Sequence, residues 1–108
     1  METIAQFYRI RTGKEQEYVE AHQHVWPELE ELMRGAGVMQ MRIFLRGNLV
    51  FLFAEVEDRK EYERKMAEDP NEQRWDAWMA KLLEAPYDAN EPGIFADAKE
   101  VYTMTRLQ

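Results

Sequence analysis

A chain of 108 residues with 45% hydrophobic residues can bury the core of one domain, taken as residues 1–108. Its net charge of −7, from 21 acidic against 14 basic residues, argues against nucleic-acid and anionic-membrane partners, which are held chiefly by Lys and Arg. The chain has no cysteine for disulfide or thiolate chemistry, no secretion signal and no bilayer-long apolar run, a pattern that points to a soluble, cytoplasmic protein and is compatible with a small neutral ligand.

The first predicted element is a strand over residues 4–10. Ile4, Tyr8 and Ile10 lie on one face and Ala5 and Phe7 on the other, so both faces need cover. From Lys14 to Arg34 the pattern turns helical, with Tyr18, Ala21, Val25, Leu29 and Leu32 on one stripe. Pro27 lacks an N–H and crowds the preceding turn, which predicts a break near Trp26 and a second helix opening at Pro27. Gly35 and Gly37 end that helix. Two strands follow, Val38 to Arg46 and Leu49 to Glu57, joined by a tight turn at Gly47-Asn48.

Asp58 and Glu61 form a capping pair for a helix over Arg59 to Ala67. Asp69-Pro70 opens another, whose stripe is Trp75, Trp78, Met79, Leu82 and Leu83. Residues 85–98 contain Pro86, Pro92 and Gly93 and read as an ordered loop. Val101 to Met104 reads as a last short strand. The order βαββααβ predicts an α+β, ferredoxin-like antiparallel sheet with helices on one face. The bare face then needs a cover, and a second copy of the chain, giving a homodimer, supplies it most simply.

Of the two histidines, His24 falls among polar residues and reads as solvated. His22 falls inside the apolar stripe, one turn after Tyr18. An imidazole there must find a partner or face a cavity, since an unpaired buried polar group costs about 1–3 kcal/mol. On spacing alone a satisfied core histidine fits as well as a functional one. The two histidines, at i and i+2, point to different faces, and no phosphate-cradling glycine loop is present. Neither a metal nor a cofactor is therefore expected. Tyr8, Tyr62, Tyr87 and Tyr102 read as structural, and Trp26 and Trp78 as core.

The segment Glu17-Tyr18 … His22-Gln23-His24-Val25-Trp26-Pro27-Glu28-Leu29 resembles the L-rhamnose mutarotase family. Further matches are Gly37, Ile43, Asn48-Leu49 with Phe51, Gln73-Arg74-Trp75, Met79 and Glu100-Val101-Tyr102, so the likeness spans nearly the whole chain. It implies a dimeric α/β-barrel of ferredoxin-like halves and a sugar mutarotase (aldose 1-epimerase) activity on a monosaccharide. It also implies His22 as general acid/base, Tyr18 as its binding or proton-handling partner, and Trp75 at the sugar. Met41 stands where the family has a sugar-contacting tyrosine, and Asp76 where it has a second tryptophan. Both changes fall in the substrate-binding set, so L-fucose or another 6-deoxy sugar joins L-rhamnose as a candidate. A dimeric α/β-barrel monooxygenase and a non-catalytic ligand-binding module are the competing readings.

Overall fold

The computed structural model describes residues 1–85, 90 and 95–106. Strand β1 (Glu2–Arg9) leads into helices α1 (Glu15–Gln23) and α2 (Pro27–Gly35). Strands β2 (Val38–Arg46) and β3 (Leu49–Val56) follow, then helices α3 (Arg59–Glu68) and α4 (Pro70–Ala80), and strand β4 (Ala96–Asp97). The sheet is antiparallel with strand order β2-β3-β1-β4, the ferredoxin-like arrangement that the element order predicts.

Local chemistry sets the boundaries. The chain leaves helical geometry at His24 and Trp26, and Pro27 occupies the first turn of α2, where its missing N–H costs nothing. Gly37 turns the chain out of α2 at φ +91°, and a Cβ there would sit 3.3 Å from the Glu57 Cβ. Gly47, at φ +60°, takes the first central position of a two-residue hairpin between Arg46 and Leu49, the II′ pattern. Asp58 accepts from the Glu61 N–H at 3.1 Å and Asp69 from the Asn71 N–H at 2.8 Å, so both α3 and α4 begin on a side-chain cap.

The core lies between the helices and one face of the sheet. Ile10, Val50, Val56 and Leu82 are its most completely buried members. Tyr8, Tyr18, Leu29, Trp75 and Met79 join the main cluster, while Ile4, Ala54 and Val56 form a smaller one with Met41 packed against it. The other face carries Phe7, Phe51 and Phe44, which are direct cross-strand neighbours on β1, β3 and β2. Phe7 and Phe51 meet edge-on at 4.9 Å.

One predicted element is corrected. Val101 to Met104 is not a strand: the segment is irregular, with Val101 88%, Tyr102 79% and Met104 72% exposed. The last strand is instead Ala96–Asp97, paired with Gln6 and Phe7 of β1. Asp97 is held there by the side chains of Gln6 and Arg59, and the Ala98 N–H bonds the Ala5 carbonyl at 2.8 Å. β-propensity reflects fit to a half-buried surface, and among the described residues no such surface lies beside Val101 to Met104. Tyr102, expected to be structural, is thus exposed. Tyr87, Pro86, Pro92 and Gly93 lie outside the described residues.

Candidate functional site

Tyr18 and His22 occupy successive turns of α1, and their rings lie 4.2 Å apart at 32°. His22 Nδ1 is 2.9 Å from the Tyr18 backbone oxygen. A carbonyl only accepts, so Nδ1 carries the proton and Nε2 keeps its lone pair. Among the described residues Nε2 has no hydrogen-bond partner. Burial pulls the imidazole's proton affinity below the usual value of 6.5, and the bond to the Tyr18 carbonyl opposes this only in part. His22 is therefore neutral at pH 7, with one nitrogen free to take a proton. His24, as expected, is exposed at the end of α1.

Tyr18 is 3% exposed, and its hydroxyl lies 2.5 Å from that of Tyr8 on β1. Burial raises both phenols, Tyr8 to about 12 and Tyr18 further. This contact is absent from the sequence reading, which treats Tyr8 as structural. Its only sequence signal is a hydroxyl on the buried side of β1, where period 2 places it beside Ile4 and Ile10.

Trp75 of α4 closes the other side. Its ring meets His22 edge-on at 5.3 Å and Trp26 at 5.2 Å, and Trp26 stacks on Trp78 at 6.2 Å and 18°. At 8% exposure Trp75 offers a ligand little area. Trp26 and Trp78 are half-buried against the core, and the Trp78 indole N–H donates to Glu17 at 3.2 Å.

Asp76, one residue on, leaves this aromatic cluster and sits at the solvent edge of α4. Its carboxyl lies close to that of Glu72, one turn earlier on the same helix. Burial and the neighbouring Asp76 push Glu72 up to about 8, and burial raises Asp76 as well. Both carboxyls are close enough to Tyr62 of α3 to raise its phenol, after burial has done most of that. The sequence reading omits Glu72, although its spacing of four from Asp76 marks a shared helix face. Met41 is not in the His22 cluster. It packs with Ile4, Ala54 and Val56, and among the described residues Leu52 and Tyr62 touch both groups.

Tyr18, His22 and Trp75 are thus brought together, Asp76 and Glu72 form an adjacent carboxyl pair, and Met41 lies beyond Tyr62. Among the described residues no group of three or more His, Asp or Glu could hold a metal ion. A separate hollow of about 390 Å³ near Leu32, Lys65 and Pro70 contains none of the aromatic residues of the site.

The family model described as L-rhamnose mutarotase matches residues 3–104. A relative from Listeria monocytogenes named L-rhamnose mutarotase is 32% identical over 106 residues, covering 96% of this chain and 99% of its own. A solved L-rhamnose mutarotase from Formosa agariphila superposes with a TM-score of 0.78 at 25% identity, covering 97% of this chain and 100% of its own. Tetracenomycin F2 cyclase from Streptomyces glaucescens shares the fold, with a TM-score of 0.67 at 18% identity over 97% of this chain and 100% of its own.

The depressed proton affinity of His22 has a measurable consequence. The unfolded chain holds that proton more readily than the folded one, so this contribution to stability is complete above pH 6.5. It is lost as pH falls from 6.5 towards the folded value. Proton and nitrogen NMR should show His22 titrating below 6.5, with its proton on Nδ1 in the neutral form. A midpoint at or above 6.5 contradicts the buried, neutral imidazole.

Proposed function

The chain belongs to the L-rhamnose mutarotase family, and from that premise we propose that it interconverts the α and β anomers of L-rhamnose or a related 6-deoxy-L-sugar such as L-fucose. The observation that carries the reading is the fixed tautomer of His22. Its Nδ1 proton is committed to the Tyr18 carbonyl, which leaves Nε2 as a base beside a phenol.

Anomer exchange needs one proton removed from the C1 hydroxyl and one delivered to the ring oxygen. His22 Nε2 takes the first, and the Tyr18 hydroxyl gives the second as the C1–O5 bond breaks. The open-chain aldehyde turns about its C1–C2 bond. Closure on the opposite face then returns each proton, from His22 to the new O1 and from O5 to Tyr18. Nothing is oxidised or reduced, and the protein ends as it began. Trp75 forms the floor that holds the imidazole. We assign Asp76, with Glu72, to the outer wall, where a carboxyl pair that keeps a proton both donates to and accepts from sugar hydroxyls. Met41 packs, as Tyr62 does, against Ile4, Ala54 and Val56.

A homodimer fits the bare sheet face. Phe7, Phe51 and Phe44 form an apolar row across three strands, and Phe44 is 47% exposed. A second copy of the sheet covers such a row without unpaired polar groups. A cytoplasmic location goes with this reading. Among the described residues no helix is long and apolar enough to cross a membrane.

Saturation-transfer NMR measures the exchange directly. The wild-type protein should accelerate it, and His22→Ala should lose about 10²–10⁴-fold, the range of a lost general acid/base. Equal exchange by the two proteins on both L-rhamnose and L-fucose ends the assignment. Across a panel of a dozen aldoses, Asp76→Asn should raise KM about tenfold for the preferred sugar, the weight of one charge-assisted hydrogen bond. An unchanged panel removes Asp76 from the sugar site. Light scattering after size exclusion should give twice the 12.9 kDa chain mass, and Phe51→Asp should halve it. A wild-type monomer at micromolar concentration rules out the pairing.

A further inference from the structure

Tyr8 stands outside the acid/base pair, yet among the described residues its hydroxyl is the one group bonded to that of Tyr18. Two hydroxyls carry two protons, and the 2.5 Å bond between them uses one. If Tyr18 donated, the spare proton would sit on Tyr8, which is 4% exposed and packed edge-on against Phe95 at 4.7 Å. No acceptor waits for it there among the described residues. If Tyr8 donates, the spare proton sits on Tyr18, beside His22, where a ligand oxygen accepts it. Only the second arrangement satisfies both hydroxyls once a sugar is bound.

We propose that Tyr8 is a positioning residue that donates its hydroxyl proton to Tyr18 Oη, fixing Tyr18 as a donor towards the sugar and stabilising its oxygen as the proton leaves. The inference rests on the acid/base reading given above. Burial makes a bare phenolate at Tyr18 costly, and in this core the Tyr8 hydroxyl is the donor placed to meet the developing charge. As the Tyr18 O–H bond breaks and the O5–H bond forms, the Tyr8 proton stays on Tyr8 and its hydrogen bond shortens. On ring closure the Tyr18 proton returns and the bond relaxes. The pairing also accounts for a tyrosine at this strand position, where phenylalanine would fill the same core volume without a hydroxyl to satisfy.

Tyr8→Phe deletes that hydroxyl and keeps the ring. The expected result is a fall in kcat of about tenfold with KM within about twofold, since the lost bond matters most as charge develops. Incorporating 3-fluorotyrosine at position 8, a more acidic donor of nearly the same shape, should restore the rate. An unchanged kcat, or a KM rise that accounts for the whole effect, overturns the proposal. A second measurement needs no turnover. In wild-type protein with ¹³C-labelled tyrosine, the hydroxyl proton in the Tyr8–Tyr18 bond should correlate with the Tyr8 ring carbons. Correlation with the Tyr18 ring instead, or no change of the Tyr18 Cζ resonance in Tyr8→Phe, also overturns it. If the wild-type protein exchanges no sugar anomers, the functional reading fails on that ground, and the resonance still decides the direction of the bond.

Discussion

A buried phenol has to find a partner, and in this core Tyr8 and Tyr18 are placed to satisfy each other. The contact joins β1 to α1, and much else follows from it. A helix of nine residues is marginal by itself, so α1 takes its position from what it packs against. With Tyr18 held to the sheet, the imidazole one turn later has a defined place, and its Nδ1 bond to the Tyr18 carbonyl fixes its rotation. Trp75 then meets that ring from α4. β1, α1 and α4 are thus joined around one imidazole through contacts between rings.

The side chains that α4 presents fall into two groups. On one side lie aromatic rings, which lower the dielectric and keep His22 neutral. On the other, Glu72 and Asp76 share a face of α4 near Tyr62, and Glu72 holds its proton to about pH 8. Two carboxyls this close cannot both ionise cheaply, so at neutral pH the pair carries roughly one charge and one proton. The apolar side suits proton transfer without competition from water, whereas the carboxyl side suits recognition of hydroxyls.

Much of this was legible in the residues themselves. Apolar spacing located the helical run from Lys14 to Arg34 and the helix after Pro70, while the helix over Arg59 to Ala67 was found from its capping pair. Pro27, Asp58 and Asp69 fixed three helix starts through chemistry that acts within one turn. The side-by-side placement of Tyr18 and His22 followed from helical geometry, and the exposure of His24 from the same wheel. Contacts between elements far apart in sequence were not legible. Nothing local distinguishes Tyr8 from a packing tyrosine until β1 is laid against α1. The last strand was misplaced for a related reason: Val101 to Met104 has the composition of a strand, but the edge of β1 is taken by Ala96–Asp97, whose hold depends on Arg59 from α3.

The same scaffold carries a polyketide cyclase, so the fold by itself does not choose a reaction. The choice rests on side chains, and α4 shows how finely they are separated. Trp75 and Asp76 are adjacent, about 100° apart around the helix. One is locked in the core against His22, Trp26 and Trp78, so a change there would disturb three neighbouring rings at once. The other sits at the helix edge with a single carboxyl neighbour, where a change alters charge and hydrogen bonding but no packed ring. An aspartate at the second position is therefore cheap for the fold. The buried side of α4 holds its geometry by packing, and that rigidity leaves the exposed side free to vary.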